Sequence, residues 1–277
     1  MREAFFMDAS GGGRFCLVTR PTIAPKGAIL FVHPFAEELN KSRRMVALAA
    51  RAFAREGWIV FQMDCFGCGD SAGDFFEASW QGWIEDLDAG WRWLQKECVR
   101  DVPSRRPLML WTLRSGCLLA ADWLQKSGEC PPLLMWQPVV SGKQHVTQFL
   151  RLKAANEMLA ESDARQVMAS IRADLQSGKN IEIAGYGLSS KLAEGMDSAS
   201  LRLPAGYGAP VVMLELGGAD QNDPSPAVAN LTAKWAAIDI KVKSEVVAGP
   251  SFWHTQEIET APLLVDRSLA MLEYLAP

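Results

Sequence analysis

The feature that most constrains this chain is the alternation of short apolar runs with longer amphipathic stretches over most of its length. Gly27–Pro34 (GAILFVHP) is continuous and rich in β-formers, so it reads as a strand buried on both faces. Asn40–Arg55 follows, with Met45, Leu48, Ala49, Ala52 and Phe53 at helical spacing. Trp58–Asp64 is the next strand, and Ser79–Cys98 the next helix, with Trp83, Leu87, Trp91 and Leu94 on one stripe. Pro107–Leu113 and Pro132–Val140 then read as strands around a helix at Gly116–Gln125. From Ala209 the pattern resumes, with strands at Ala209–Leu216 and Ile238–Val247 and helices at Ala227–Ala237 and Ala261–Leu275. Strands that alternate with helices predict an α/β fold, a mostly parallel central sheet with helices on both faces.

Two segments depart from that rhythm. Glu3–Asp8 and Arg14–Thr19 flank a Gly11-Gly12-Gly13 turn and predict a hairpin that adds antiparallel edge strands. Residues 143–208 carry helical periodicity (Phe149–Leu159, Ala164–Leu175) and no long buried-strand run. This middle segment reads as a helical cap inserted into a core formed by residues 1–142 and 209–277. It would lie over the carboxyl edge of the sheet, where open α/β sheets bind their ligands.

Composition narrows the possible functions. The formal charge of −4 gives no basic footprint for a phosphate backbone, so nucleic acid is excluded as a partner. Apolar stretches such as Gly27–Val32 fall short of the ~18 residues of a membrane span. Met1–Ser10 carries acidic residues rather than a basic-then-apolar leader, and the expectation is a cytoplasmic protein. Cys16, Cys65, Cys68, Cys98, Cys117 and Cys130 are scattered and read as free, mostly buried thiols. The one C-x-x-C, Cys65 and Cys68, has no second pair or nearby histidine to complete a tetrahedral site, so neither a metal nor another cofactor is expected. Trp80 and Trp93 fall off the helical stripe and are the tryptophans to test as a partner surface, while Arg43-Arg44 and Arg105-Arg106 read as solvated charges.

The most informative stretch is Leu110-Trp111-Thr112-Leu113-Arg114-Ser115-Gly116-Cys117-Leu118, which ends a strand and opens a helix. A nucleophile elbow in that context needs small residues two before and two after its apex. Thr112 and Gly116 meet that need when the turn centres on Arg114, whereas centring on Ser115 puts Leu113 and Cys117 at the crowded positions. Arginine stays protonated and cannot attack a carbonyl. His33-Pro34-Phe35-Ala36 leaves the Gly27–Val32 strand where an oxyanion would be held, with Phe35 and Ser115 as backbone N–H donors and His33 structural. The glycine-rich loop Asp64–Gly73 lacks the lysine and spacing of a phosphate cradle. Asp220 ends one late strand, with Asp223 as its competitor, and His254 follows the next strand. Elbow, acid and histidine in that order suggest an α/β-hydrolase scaffold, with His254 as base and an acid to orient it. His145 falls at the start of the cap with no role.

The chain resembles an α/β-hydrolase of the serine aminopeptidase-like group, and within it the second type of exosortase A system-associated hydrolase. The motifs that carry the resemblance are HPFAEELNKSRRM (His33–Met45), DCFGCGDSAGDF (Asp64–Phe75), LWTLRSGCLLA (Leu110–Ala120) and GPSFWHTQEIE (Gly249–Glu259). The resemblance implies association with exopolysaccharide biosynthesis and exosortase protein-sorting loci in Gram-negative bacteria. It sets Arg114 on the serine position, Asp220 on the acid and His254 on the histidine. Two readings follow. In one, an esterase or thioesterase-type hydrolase uses Ser115 in a shifted turn, or a water activated by His254, on a small acyl substrate. In the other, a non-catalytic protein on the same fold uses Arg114 to hold a carboxylate or phosphate, or pairs Arg114 internally with Asp220.

Overall fold

The structure, a computed structural model, describes residues 1–100, 106–157 and 164–276. Arg105, Leu159 and the side chain of Cys98 lie outside the described residues. Strands β1 (Arg2–Ala9) and β2 (Gly12–Thr19) form an antiparallel hairpin at one edge of the sheet. The remaining strands of the main sheet are β3 (Gly27–Val32), β4 (Trp58–Met63), β5 (Leu108–Leu113), β6 (Leu133–Trp136), β9 (Val211–Gly217) and β10 (Val242–Ala248). Their order is β1-β2-β4-β3-β5-β6-β9-β10, and every pairing from β4 to β10 is parallel. The predicted α/β-hydrolase fold is therefore the one observed.

Alternation along each strand splits the core between two faces. Ile29 and Phe31 of β3 pack with Met45, Val46 and Phe53 of α1 (Glu37–Arg55) and with Leu264 and Met271 of α8 (Pro262–Leu275). Ala28, Leu30 and Val32 face the other way, toward α2 (Trp80–Arg100), α3 (Gly116–Ser127) and α7 (Pro226–Ala236). Trp111 sits at the centre of the first face, with Phe31, Phe53 and Trp136 rings at 4.5, 5.1 and 4.7 Å. Burial of each such side chain stabilises the fold by roughly 1.5–3 kcal/mol.

Among the described residues, α4 (Gly142–Glu157), α5 (Ala164–Gln176), a β7 (Ile181–Ile183)/β8 (Tyr186–Leu188) hairpin and α6 (Ser190–Ser198) lie between β6 and β9. The hairpin was not anticipated from periodicity. Its two-residue turn, Ala184-Gly185, has φ of 50° and 82°, the geometry of a type I′ turn, without the Asn or Asp that usually announces one. Tyr186 ties this hairpin to α1, its hydroxyl donating to Glu37 Oε2 and accepting from Asn40 Nδ2, both at 2.7 Å.

Other expectations need correction. The strand expected over Pro132–Val140 stops at Trp136, because Gln137 turns to φ 42° with its N–H on the Leu214 carbonyl. Trp80 and Trp93 do not form an exposed surface. Trp80 is 5% exposed and its indole N–H donates to Asp122, while Trp93 stacks on Phe61 at 4.4 Å. Cys16, Cys65, Cys68 and Cys117 are buried free thiols, whereas Cys130 is exposed.

Candidate active site

The site begins at the carboxyl end of β5, where the chain makes one sharp turn into α3. Arg114 is at the apex with φ 54°, and its carbonyl accepts the Cys117 N–H at 3.1 Å. A Cβ on Gly116 would lie 2.4 Å from the Val32 carbonyl oxygen and 2.8 Å from that of His33. Thr112 is fully buried, its hydroxyl 2.9 Å from Cys117 Sγ. The requirement for a small residue at position 116 is thus physical, and Arg114 stands at the apex of the turn.

The adjacent strand supplies the partner of Arg114. After β3, Ala36 adopts φ 50° and ψ −128°, with the Glu38 N–H donating to the Phe35 carbonyl at 3.2 Å. This is a type II′ turn with alanine at a position that favours glycine, a strained conformation of the kind that clusters at functional sites. The turn aims Glu38 across to β5. Arg114 donates from Nε and Nη2 to Glu38 Oε1 at 3.0 and 2.9 Å, and its guanidinium lies 5.3 Å from the Trp253 ring centroid. The internal partner of Arg114 is therefore Glu38, not Asp220. Glu38 was missed because the contact joins two turns far apart in sequence.

A cleft of about 240 Å³ opens above this pair, between the sheet's carboxyl edge and the segment inserted after β6. Arg114, Glu38, His145, Phe149, Trp253 and His254 are among the residues that line it. Ser115 is not. It is buried at the start of α3 and its hydroxyl makes no capping bond. The backbone N–H groups of Phe35 and Ser115 have no hydrogen-bond partner among the described residues, a rare state for buried amides. Burial pushes the neighbouring Cys117 thiol up to about 12, so it offers no thiolate in place of a serine.

The histidines divide three ways. His254 is exposed at the cleft, and the Lys41 ammonium fixes the loop beyond it by donating to the carbonyls of Thr255 and Gln256. Asp220 and Asp223 are both exposed, and among the described residues neither is hydrogen-bonded to His254. His145 was given no role from sequence, yet it lines the cleft, and burial lowers its pKa and keeps it neutral. Its Nε2 and the Oε2 of Glu38 are buried with no hydrogen-bond partner. His33 is structural, as expected: Nε2 accepts the Cys65 N–H at 3.2 Å, so Nδ1 donates to the Pro34 carbonyl at 2.8 Å.

His33 thereby anchors the glycine-rich loop, which carries its own polar network. Asp64 takes both terminal nitrogens of Arg43, at 3.3 and 3.1 Å, so Arg43 is not the free solvated charge anticipated. Asp86 accepts from Arg14 Nε and from the Phe66 N–H, both at 2.8 Å. Gly69 has φ 54°, and a Cβ there would fall 1.9 Å from Asp64 Oδ2. Among the described residues no group of three His, Cys, Asp or Glu side chains could hold a metal ion, and no helix is long and apolar enough to cross a membrane.

The family model described as serine aminopeptidase, S33, matches residues 23–187. The chain belongs to this α/β-hydrolase family. The S33 match runs from the approach to β3 through the turn at Arg114 into β8. Solved structures extend the likeness to the whole chain. Est1E from Butyrivibrio proteoclasticus, with ferulic acid bound, has a TM-score of 0.66 at 12% identity, and the match covers 98% of this chain and 99% of that one. A thermostable carboxyl esterase from Bacillus coagulans, in complex with glycerol, has a TM-score of 0.65 at 12% identity, covering 99% and 98%. An α/β serine hydrolase from Xanthomonas campestris, described as without a lid, gives 0.60 at 15% identity, covering 100% and 95%. No curated protein matches the sequence.

Proposed function

We propose that this S33-family protein binds a small acyl-type ligand in its cleft without forming a serine acyl-enzyme, and that residues 143–208 serve as the cap over that cleft. The single observation that carries the reading is Arg114 at the elbow apex, locked to Glu38, with Ser115 buried off the cleft. A guanidinium cannot be the nucleophile. Because Glu38 already neutralises Arg114, an anionic ligand is disfavoured. The motifs His33–Met45 and Asp64–Phe75 support a setting in exopolysaccharide synthesis and exosortase sorting, in the cytoplasm.

One observation favours a second reading, hydrolysis of an ester or thioester by activated water. The unpaired N–H groups of Phe35 and Ser115 would receive the carbonyl oxygen, and His254 faces the same cleft. His254 would take the proton from water, with Asp220 or Asp223 brought in as its orienting acid. Turnover of p-nitrophenyl acetate and butyrate separates the two. The binding reading expects wild type, His254→Ala and Ser115→Ala to stay together at the background rate. Turnover above background that His254→Ala abolishes overturns it in favour of the water mechanism, and turnover that Ser115→Ala abolishes restores a serine nucleophile.

A further inference from the structure

The two edges of the main sheet are built differently. At one end β10 carries Glu245 at its centre, paired with Arg267 of α8. A charge in the middle of a strand is a usual guard on an open edge. At the other end β1 has no such guard. Its eight residues keep register with β2 without a bulge, it contains no proline, and its charges, Arg2, Glu3 and Asp8, stand near the strand ends. Between them runs Ala4-Phe5-Phe6-Met7, with Phe6 62% exposed. Among the described residues β1 pairs with β2 alone.

The hydrogen-bond phase of the hairpin decides which groups of β1 are open. Phe15, opposite Phe6, turns its carbonyl to the Asp64 N–H at 3.0 Å and its N–H to the Ser71 hydroxyl at 2.9 Å, both away from β1. Opposite residues of an antiparallel ladder share one phase, so Phe6 also turns its N–H and C=O away from β2. Arg2, Ala4 and Asp8, at alternate positions, do the same. Antiparallel pairing of this side with a copy of itself must set outward residues opposite outward residues. Two registers do so over all but one residue of the strand. One centres on Phe6 and sets Asp8 opposite Ala4. The other centres on Phe5 and sets Arg2 opposite Asp8 and Ala4 opposite Phe6. Only the second matches opposite charges, at both ends of the pairing, and opposite charges across strands attract. Both side chains are exposed, and Arg2 spends one donor on the Ala47 carbonyl, with others to spare.

We propose that β1 is a self-association edge, pairing antiparallel with β1 of a second copy about a two-fold axis at Phe5, with each Arg2 opposite Asp8 of the other copy. The pairing joins two eight-stranded sheets into one continuous sheet, and the two-fold repeats every contact. Phe6 of each copy lies beside Ala4 of the other, large against small, which covers its exposed ring. Among the described residues none of β1 lines the cleft, so the pairing stands independently of the ligand reading above.

The test is sedimentation velocity of the full chain from low to high micromolar concentration, with Arg2→Asp, Asp8→Arg, the double swap and Ala4→Pro. Wild type is expected as a monomer–dimer equilibrium with a micromolar dissociation constant, the weak end expected of a small interface. Each single swap sets like charges opposite each other at both ends and weakens the dimer about tenfold, and the double swap restores it. Ala4→Pro removes an outward N–H that β2 does not use and leaves monomer at every concentration. A wild type that stays monomeric overturns the proposal. Dimer strength unchanged in both single swaps and in Ala4→Pro overturns it in favour of another face. A double swap no tighter than the single ones overturns the pairing of Arg2 with Asp8. Wild type and the swaps at exposed ends decide the matter even if Ala4→Pro does not fold.

Discussion

Two regions at the carboxyl edge of the same sheet treat their polar groups in opposite ways. The loop after β4, Asp64–Gly73, is polar and glycine-rich, yet its buried groups are matched: Asp64 to Arg43, Asp86 to Arg14 and Phe66, His33 to Cys65 and Pro34. The turn after β3 and the elbow after β5 are strained at Ala36 and Arg114, leave the Phe35 and Ser115 N–H groups free, and leave Glu38 and His145 half satisfied. Matched polar groups rigidify a fold. Unmatched ones, held in a strained frame beside a cleft, leave hydrogen bonds for something else to make. The glycine-rich loop is the more conspicuous in sequence, but the quieter turn is the one that leaves polar groups unpaired beside the cleft.

The largest way to break this comparison is to unmatch the matched loop. Asp86→Ala leaves Arg14 charged at a side chain that is 3% exposed and frees the Phe66 N–H. A loss of about 3–5 kcal/mol is expected in urea unfolding. A loss under about 1 kcal/mol would mean that the network does not hold the loop.

Acid sharpens the comparison next. His33 and His145 both have pKa values lowered by burial, one anchoring the matched loop through Cys65 and one at the cleft. Above about pH 6.5 both states are neutral and the stability is fully present. As pH falls below that value the unfolded chain takes up protons that the folded chain refuses, so stability falls by about 1 kcal/mol per histidine between pH 7 and 5.5. Urea unfolding at the two pH values checks this. Stability unchanged over that window contradicts both assignments.

The smallest effect tests how the inserted hairpin is coupled to α1. Tyr186→Phe removes the hydrogen bonds to Glu37 and Asn40 at a half-buried site, for an expected loss of about 0.5–1.5 kcal/mol. Stability unchanged by the substitution would uncouple the hairpin from α1.

Local constraints were legible in the sequence and distant ones were not. Thr112 and Gly116 mark the elbow because the crowding they relieve is two residues away. Buried strands such as Gly27–Val32 are continuous apolar runs, so the sheet could be read directly. Glu38 carried no signal, since its meaning depends on a turn at Ala36 that propensity does not anticipate and on an arginine in another strand's loop. His145 acquires its place only when α4 packs over Phe35. The order of elbow, acid and histidine was readable, but chain order does not fix distance, and Asp220 and His254 are both left facing solvent.

The central claim is that the elbow of this S33-family protein carries an arginine in place of a working nucleophile. Intact-mass analysis of the wild-type chain after incubation with a fluorophosphonate tests it most directly. The account predicts a protein of unchanged mass, with Ser115 shielded and Arg114 unreactive. A single stoichiometric adduct mapped to Ser115 would contradict it.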